Sequence, residues 1–132
     1  MALKSGMKIL VVDDMSTMRK IVSKMLRGMG FTNIEEADDG NPAWEMIQKA
    51  IEDGEPYEFI VSDWNMPGMS GLDLLDHVRA NDKTKALKFL MVTAESERAN
   101  IVIAIKKGVS NYVVKPFTPE IIKEKISKIF AA

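Results

Sequence analysis

Apolar residues change their spacing repeatedly along this chain. Residues 8–13, KILVVD, form a short continuous apolar run, the pattern of a strand covered on both faces. From Ser16 onward the apolar positions become Met18, Ile21, Val22, Met25, Leu26 and Met29, one face of a helix that Ser16 would cap and Gly30 would end. A weaker strand is expected over residues 33–37, then a helix through about Glu52 with Asn41 as N-cap and Pro42 at its first position. The alternation continues with strand Phe59–Asp63, helix Gly71–Ala80 and strand Lys88–Thr93. A helix over residues 97–107 is stopped by Gly108, and a strand follows over residues 111–115. The last helix has Thr118 as N-cap, Pro119 at its first position, and an apolar face of Ile122, Ile126, Ile129 and Phe130.

Strict alternation of strand and helix predicts an α/β fold: a doubly wound, five-stranded parallel sheet flanked by five helices, in one domain over residues 1–132. All carboxyl ends of a parallel sheet lie along one edge, where ligands of open α/β sheets bind. The ends of the predicted strands are therefore informative. LVV runs into Asp13 and Asp14, FIVS into Asp63, FLMV into Thr93 and YVV into Lys115. Three carboxylates, a hydroxyl and an ammonium group should meet in one shallow pocket.

Composition narrows what such a pocket can do. With 18 basic and 19 acidic side chains the net charge is −1, no electrostatic footprint for nucleic acid. The absence of cysteine excludes disulfides, thiolate zinc sites and cysteine nucleophiles. It also makes a reducing cytoplasm the expected location. No apolar run is long enough to span a membrane, and the opening MALKSGMK lacks the apolar core of a secretory signal.

Carboxylates held together repel: at an effective dielectric of 20, two unit charges 4 Å apart cost roughly 4 kcal/mol. Such a cluster raises its own pKa values or binds a cation. All-oxygen ligands call for a hard cation, Mg²⁺ before Ca²⁺, because few protein ligands leave room for water and phosphate. Lys115 and Thr93 suit the oxygens of a phosphoryl group, and a carboxylate can itself be the nucleophile, giving an aspartyl phosphate. There is no Walker-type or GxGxxG loop for a nucleotide. The plainer alternative is a structural ion cluster at strand ends.

The segments ILVVDD, STMRKIV, VSDWNMPGMSGLDLL, LMVTAE and NYVVKPF resemble a receiver domain of two-component signalling, over nearly the whole chain. More narrowly, they are similar to the single-domain chemotaxis regulators of that family. The resemblance implies that Asp63 is the phosphoacceptor and Asp14 a direct Mg²⁺ ligand. Asp13 would hold the metal through water, and Asn65 would supply its backbone carbonyl. Thr93 and Lys115 would hold the phosphoryl oxygens. Asn65 and Glu95 match the pair that sets the rate of phosphate loss. The implied partners are a histidine kinase, the flagellar motor switch and a phosphatase, with no nucleic acid or membrane, and the protein acting as a monomer without a DNA-binding output module. Ile101, Ile105, Tyr112 and Lys125 fall at the positions that meet the switch, Tyr112 being the aromatic that turns inward when Thr93 moves toward the phosphoryl group.

Several smaller expectations accompany these. IVIAI at residues 101–105 is apolar all round, so this helix is either deeply packed or carries a second apolar face for a partner. Pro67-Gly68 suits a type II turn. His77 reads as a solvated surface residue, and Met18, Met25 and Met29 as fillers of core gaps. The Lys115-Pro116 bond is cis in the family, whereas trans is the default for an X-Pro bond. IQKAIEDGEPYEF is a few residues longer than usual and should leave the site untouched. Rival readings are a phosphate sink or a receiver for another pathway, and a Mg²⁺-dependent phosphatase of the haloacid-dehalogenase type. The last wants a DxD motif, whereas Asp13 and Asp14 are adjacent.

Overall fold

The computed structural model describes residues 6–94 and 98–131. Strands β1 (Ile9–Val12), β2 (Ile34–Ala37), β3 (Phe59–Asp63), β4 (Lys88–Thr93) and β5 (Asn111–Val114) alternate with helices α1 (Ser16–Gly28), α2 (Gly40–Glu52), α3 (Gly71–Ala80), α4 (Arg98–Lys106) and α5 (Pro119–Ile129). All strand pairs are parallel, in the order β2-β1-β3-β4-β5. This is the expected doubly wound five-stranded sheet flanked by five helices, a flavodoxin-like arrangement.

Successive side chains of one strand point to opposite faces, so each apolar run feeds two cores. On one face Val11, Val61 and Val92 pack with Val22 and Leu26 of α1 and Ile122 and Ile126 of α5. Met18, Met25 and Met29 pack against this core, as expected of gap fillers. On the other face Leu10, Ile60 and Met91 pack with Ala43 and Ile47 of α2 and Leu74, Leu75 and Val78 of α3. Strands buried on both sides need no polar alternation, which is why β1 and β3 are apolar almost throughout.

The helix starts show where local sequence was decisive. The Thr118 hydroxyl accepts the Ile121 N–H, and Pro119 follows it at the first helical position, as expected. Ser16, expected to cap α1, is instead its first residue. The N-cap is Met15, whose N–H donates to Asp13 Oδ1 at 2.9 Å, so the site carboxylate organises that turn. The N-cap of α2 is Asp39, not Asn41, because the Asp39 carboxylate accepts the Asn41 N–H at 3.2 Å and starts the helix earlier. Pro42 still lies in the first turn, where its missing N–H costs nothing.

The type II turn at Pro67-Gly68 does not form. That turn needs a positive φ at Gly68, and among the described residues only Gly30, Gly54 and Gly108 have one. The loop is instead folded onto the Asp39 carboxylate. The Lys115–Pro116 bond is cis. His77 is exposed, its Nδ1 lies 2.8 Å from the Asp73 carbonyl oxygen, and its ring meets Trp44 edge to face. In the α2–β3 segment, buried Tyr57 donates to Glu35 Oε1 at 2.6 Å with Lys8 over its ring. Among the described residues no helix is long and apolar enough to cross a membrane.

Candidate functional site at the carboxyl edge of the sheet

The register sets the first contact. Val12 lies opposite Ser62, so Asp13 and Asp63, one residue further on, emerge side by side from β1 and β3. Both are buried, at 4% and 7% exposure, and Asp14 beside them is exposed. Carboxylate oxygens of Asp13, Asp14 and Asp63 lie within 4.8 Å of one another. From beyond β5, Lys115 Nζ approaches Asp63 Oδ1 at 3.4 Å and Asp13 Oδ2 at 3.7 Å. Thr93, fully buried at the end of β4, accepts the Lys115 N–H on its backbone carbonyl at 2.7 Å. That bond ties the hydroxyl-bearing and ammonium-bearing strand ends together.

Burial pushes the carboxyls of Asp13 and Asp63 above their ordinary value, since water is withdrawn from their charged forms. Lys115 pulls both back down, as does an N–H donor at each: Met15 for Asp13 and Trp64 for Asp63. The neighbouring carboxylate pushes each up again. Among the described residues the pocket is short of positive charge, with one ammonium for three carboxylates. Oxygen-only ligands with surplus negative charge fit a hard divalent cation. Beside the cluster a cavity of about 330 Å³ is lined by Asp14, Trp64, Asn65, Met66, Pro67 and Ser70, so Asn65 borders the same space.

The structure thus brings Asp13, Asp14, Asp63 and Lys115 together, with Thr93 joined through the backbone and Asn65 on the cavity wall. Glu95 lies outside the described residues. The other four predicted positions lie on the consecutive elements at the β5 edge. Ile101 and Ile105 stand one turn apart on α4, half-buried and 60% exposed respectively. Tyr112 on β5 and Lys125 on α5 are half-buried. Tyr112 pairs with Met91 and Val114 with Thr93, so Tyr112 sits one pleat below Thr93 on the same face of the sheet.

Two residues around the site were not read from the sequence. Arg19 donates through Nη1 to the Asp13 carbonyl at 2.7 Å and pairs with Glu36 at 3.0 Å, tying the start of α1 to β1 and β2. Asp39 grips the loop after β3. Its signal was available, because Asp38-Asp39 follows β2 as Asp13-Asp14 follows β1, but IEEA is too weakly apolar to draw attention to its end.

Fold and pocket define the class: a flavodoxin-like α/β domain with an acidic, lysine-bearing pocket at the carboxyl edge of its sheet. The family described as response regulator receiver domain matches residues 9–127, and the chain belongs to that family. It is 55% identical over 124 residues to the chemotaxis protein CheY of Pseudomonas aeruginosa, covering 94% of this chain and 96% of that one. It is 52% identical over 128 residues to the chemotaxis protein CheY-3 of Vibrio cholerae, covering 97% and 95%. Among solved structures, chemotaxis protein CheY4 of Vibrio cholerae matches with a TM-score of 0.84 at 32% identity, covering 95% of this chain and 99% of that one. The chain is closely related to the CheY chemotaxis regulators.

Proposed function

We propose that residues 1–132 work as one cytoplasmic, monomeric receiver domain that accepts a phosphoryl group on Asp63 from a histidine kinase, with Mg²⁺, and then binds the flagellar motor switch. The observation that carries this reading is the position of Lys115 Nζ, 3.4 Å from Asp63 Oδ1, at the mouth of a three-carboxylate cluster. The names of the relatives, chemotaxis proteins in both cases, support the pathway.

Asp13, Asp14, Asp63 and the Asn65 carbonyl would hold the cation. When bound, it offsets the negative charge that the cluster and a phosphoryl group share. The chain's own residues do the rest. A carboxylate oxygen of Asp63 attacks phosphorus, forming an O–P bond while the P–N bond to the kinase histidine breaks and the imidazole nitrogen keeps the electron pair. Lys115 offers a point charge to the phosphoryl oxygens, and the Thr93 hydroxyl a hydrogen bond. That bond would draw Thr93 toward the pocket and open room for Tyr112, one pleat below, to turn inward. The α4–β5–α5 face, with Ile101, Ile105, Tyr112 and Lys125, would then favour the switch. A phosphatase partner would end the signal.

Acetyl phosphate with Mg²⁺ should add one phosphoryl group, read by intact mass and mapped to Asp63. Asp63→Asn and Mg²⁺ removal should each abolish labelling. Labelling of Asp63→Asn at the wild-type rate would put the nucleophile elsewhere.

A further inference from the structure

Asp39 ends the turn after β2, yet its carboxylate works on a different loop. Its Oδ1 accepts the Gly68 N–H at 3.0 Å and its Oδ2 the Met69 N–H at 3.0 Å. In return the Gly40 N–H donates to the Met69 carbonyl at 3.1 Å. The two loops therefore bond in both directions. They also fit without slack. A Cβ added at Gly68 would fall on the Asp39 carboxylate, and one added at Gly40 would fall on the Met69 carbonyl and side chain. Partial burial works against charge on Asp39, but the N–H groups of Met69, Asn41, Gly68 and Gly40 outweigh it and hold the carboxyl below its ordinary value.

The gripped loop is the one that carries Asn65. At its base the Gly71 N–H donates to the Trp64 carbonyl at 2.8 Å, and a Cβ on Gly71 would strike the Asp63 carbonyl. The stretch is thus closed at its base beside Asp63 and held at its far side by Asp39. We propose that Asp39 is a positioning residue for the cation site: it fixes the loop over residues 64–71 so that the Asn65 main-chain carbonyl is held ready beside Asp14 and Asp63. This rests on the reading that Mg²⁺ binds those residues. Asp39 itself belongs to none of the implied ligands. Its effect comes from preorganisation, because a carbonyl on a swinging loop must be ordered at the moment of binding. Outer partners of this kind typically change metal affinity by about 10- to 100-fold.

The test is a Mg²⁺ titration of the full chain, read by Trp64 fluorescence with Trp44→Phe in every variant, alongside the metal-free Tm. Asp39→Ser retains a good N-cap for α2 but is too short to reach Gly68 and Met69. It should weaken Mg²⁺ about 10-fold while the metal-free Tm moves by only a few degrees. Gly68→Ala should weaken Mg²⁺ in the wild-type background, by displacing the carboxylate, and add little once Asp39 is Ser. Should Asp39→Ser fail to fold, Asp39→Asn carries the test, since it keeps one accepting oxygen and should lose part of the affinity. Wild-type Mg²⁺ affinity in the folded Asp39 variant, or an equal Gly68→Ala loss in both backgrounds, overturns this inference alone. No Mg²⁺ response in the wild type overturns the cation reading, and this inference with it.

Discussion

Asp13 and Asp63 share one ammonium group in a place where water reaches neither well. Because burial raises the folded pKa of Asp13 above its ordinary value of 3.8, the protonated form favours the fold. That contribution is fully present below the unfolded value and is lost as pH rises through the raised folded value. Asp13→Asn removes the charge and keeps the oxygen that accepts the Met15 N–H. Without Mg²⁺ the variant should melt a few degrees above wild type at pH 7, the scale of about 1 kcal/mol in a domain of this size. The gap should close as pH falls and wild-type Asp13 takes up its proton, while Mg²⁺ should raise the wild type more than the variant. Melting curves from pH 7 downward check this, and a gap that stays constant with pH contradicts it. The same residues explain why the site was legible. Each of Asp13, Asp14, Asp63, Thr93 and Lys115 follows or ends an apolar run, and in a parallel sheet that alone brings them to one edge. Asp39 escaped because its role depends on Gly68 and Met69, 29 and 30 residues away in sequence.

Helix α4 is the element whose pattern left its role open. It proves only partly packed: Ala104 is fully buried, while Val102, Ile103 and Ile105 are 41%, 40% and 60% exposed. The expectation of deep packing therefore does not hold, and the proposed partner face is what remains to be tested. At its C-terminal end Lys107 Nζ reaches both oxygens of Asp76 at 3.0 Å, and Arg79 Nε donates to the Gly108 carbonyl at 2.8 Å, so α3 holds that end. Ile105→Asp should therefore leave the Tm within a few degrees of wild type, since an exposed position changes stability by about 0.5 kcal/mol or less. It should weaken a motor switch peptide both with and without a phosphoryl mimic. A calorimetric scan and a peptide titration separate the two effects; unchanged peptide affinity would remove α4 from the face. Element boundaries were less legible than element types. Thr118-Pro119 was decisive because both residues fix the same start. Ser16 and Asn41 were overruled by carboxylates that reach the turn first.

For the whole molecule, the architecture followed from period and order alone. Four short apolar runs and one weaker strand, separated by helical stretches, leave little choice but a parallel sheet with helices on both faces. The proposed coupling between pocket and outer face was less accessible, since it depends on register. With Val114 opposite Thr93 and Tyr112 opposite Met91, Thr93 and Tyr112 become same-face neighbours. A ligand shifts an equilibrium only by its differential affinity for the two states, and coupling of this kind is typically about 1–3 kcal/mol, or roughly 5- to 150-fold. The most direct measurement is the affinity of a flagellar motor switch peptide for the full chain, with Mg²⁺, in the presence and absence of beryllofluoride. Binding should tighten within that range, and Thr93→Ala should still take up beryllofluoride but lose most of the gain. If beryllofluoride occupies the site, seen through Trp64 fluorescence, and peptide affinity does not change, the account of a phosphorylation-activated switch regulator is contradicted.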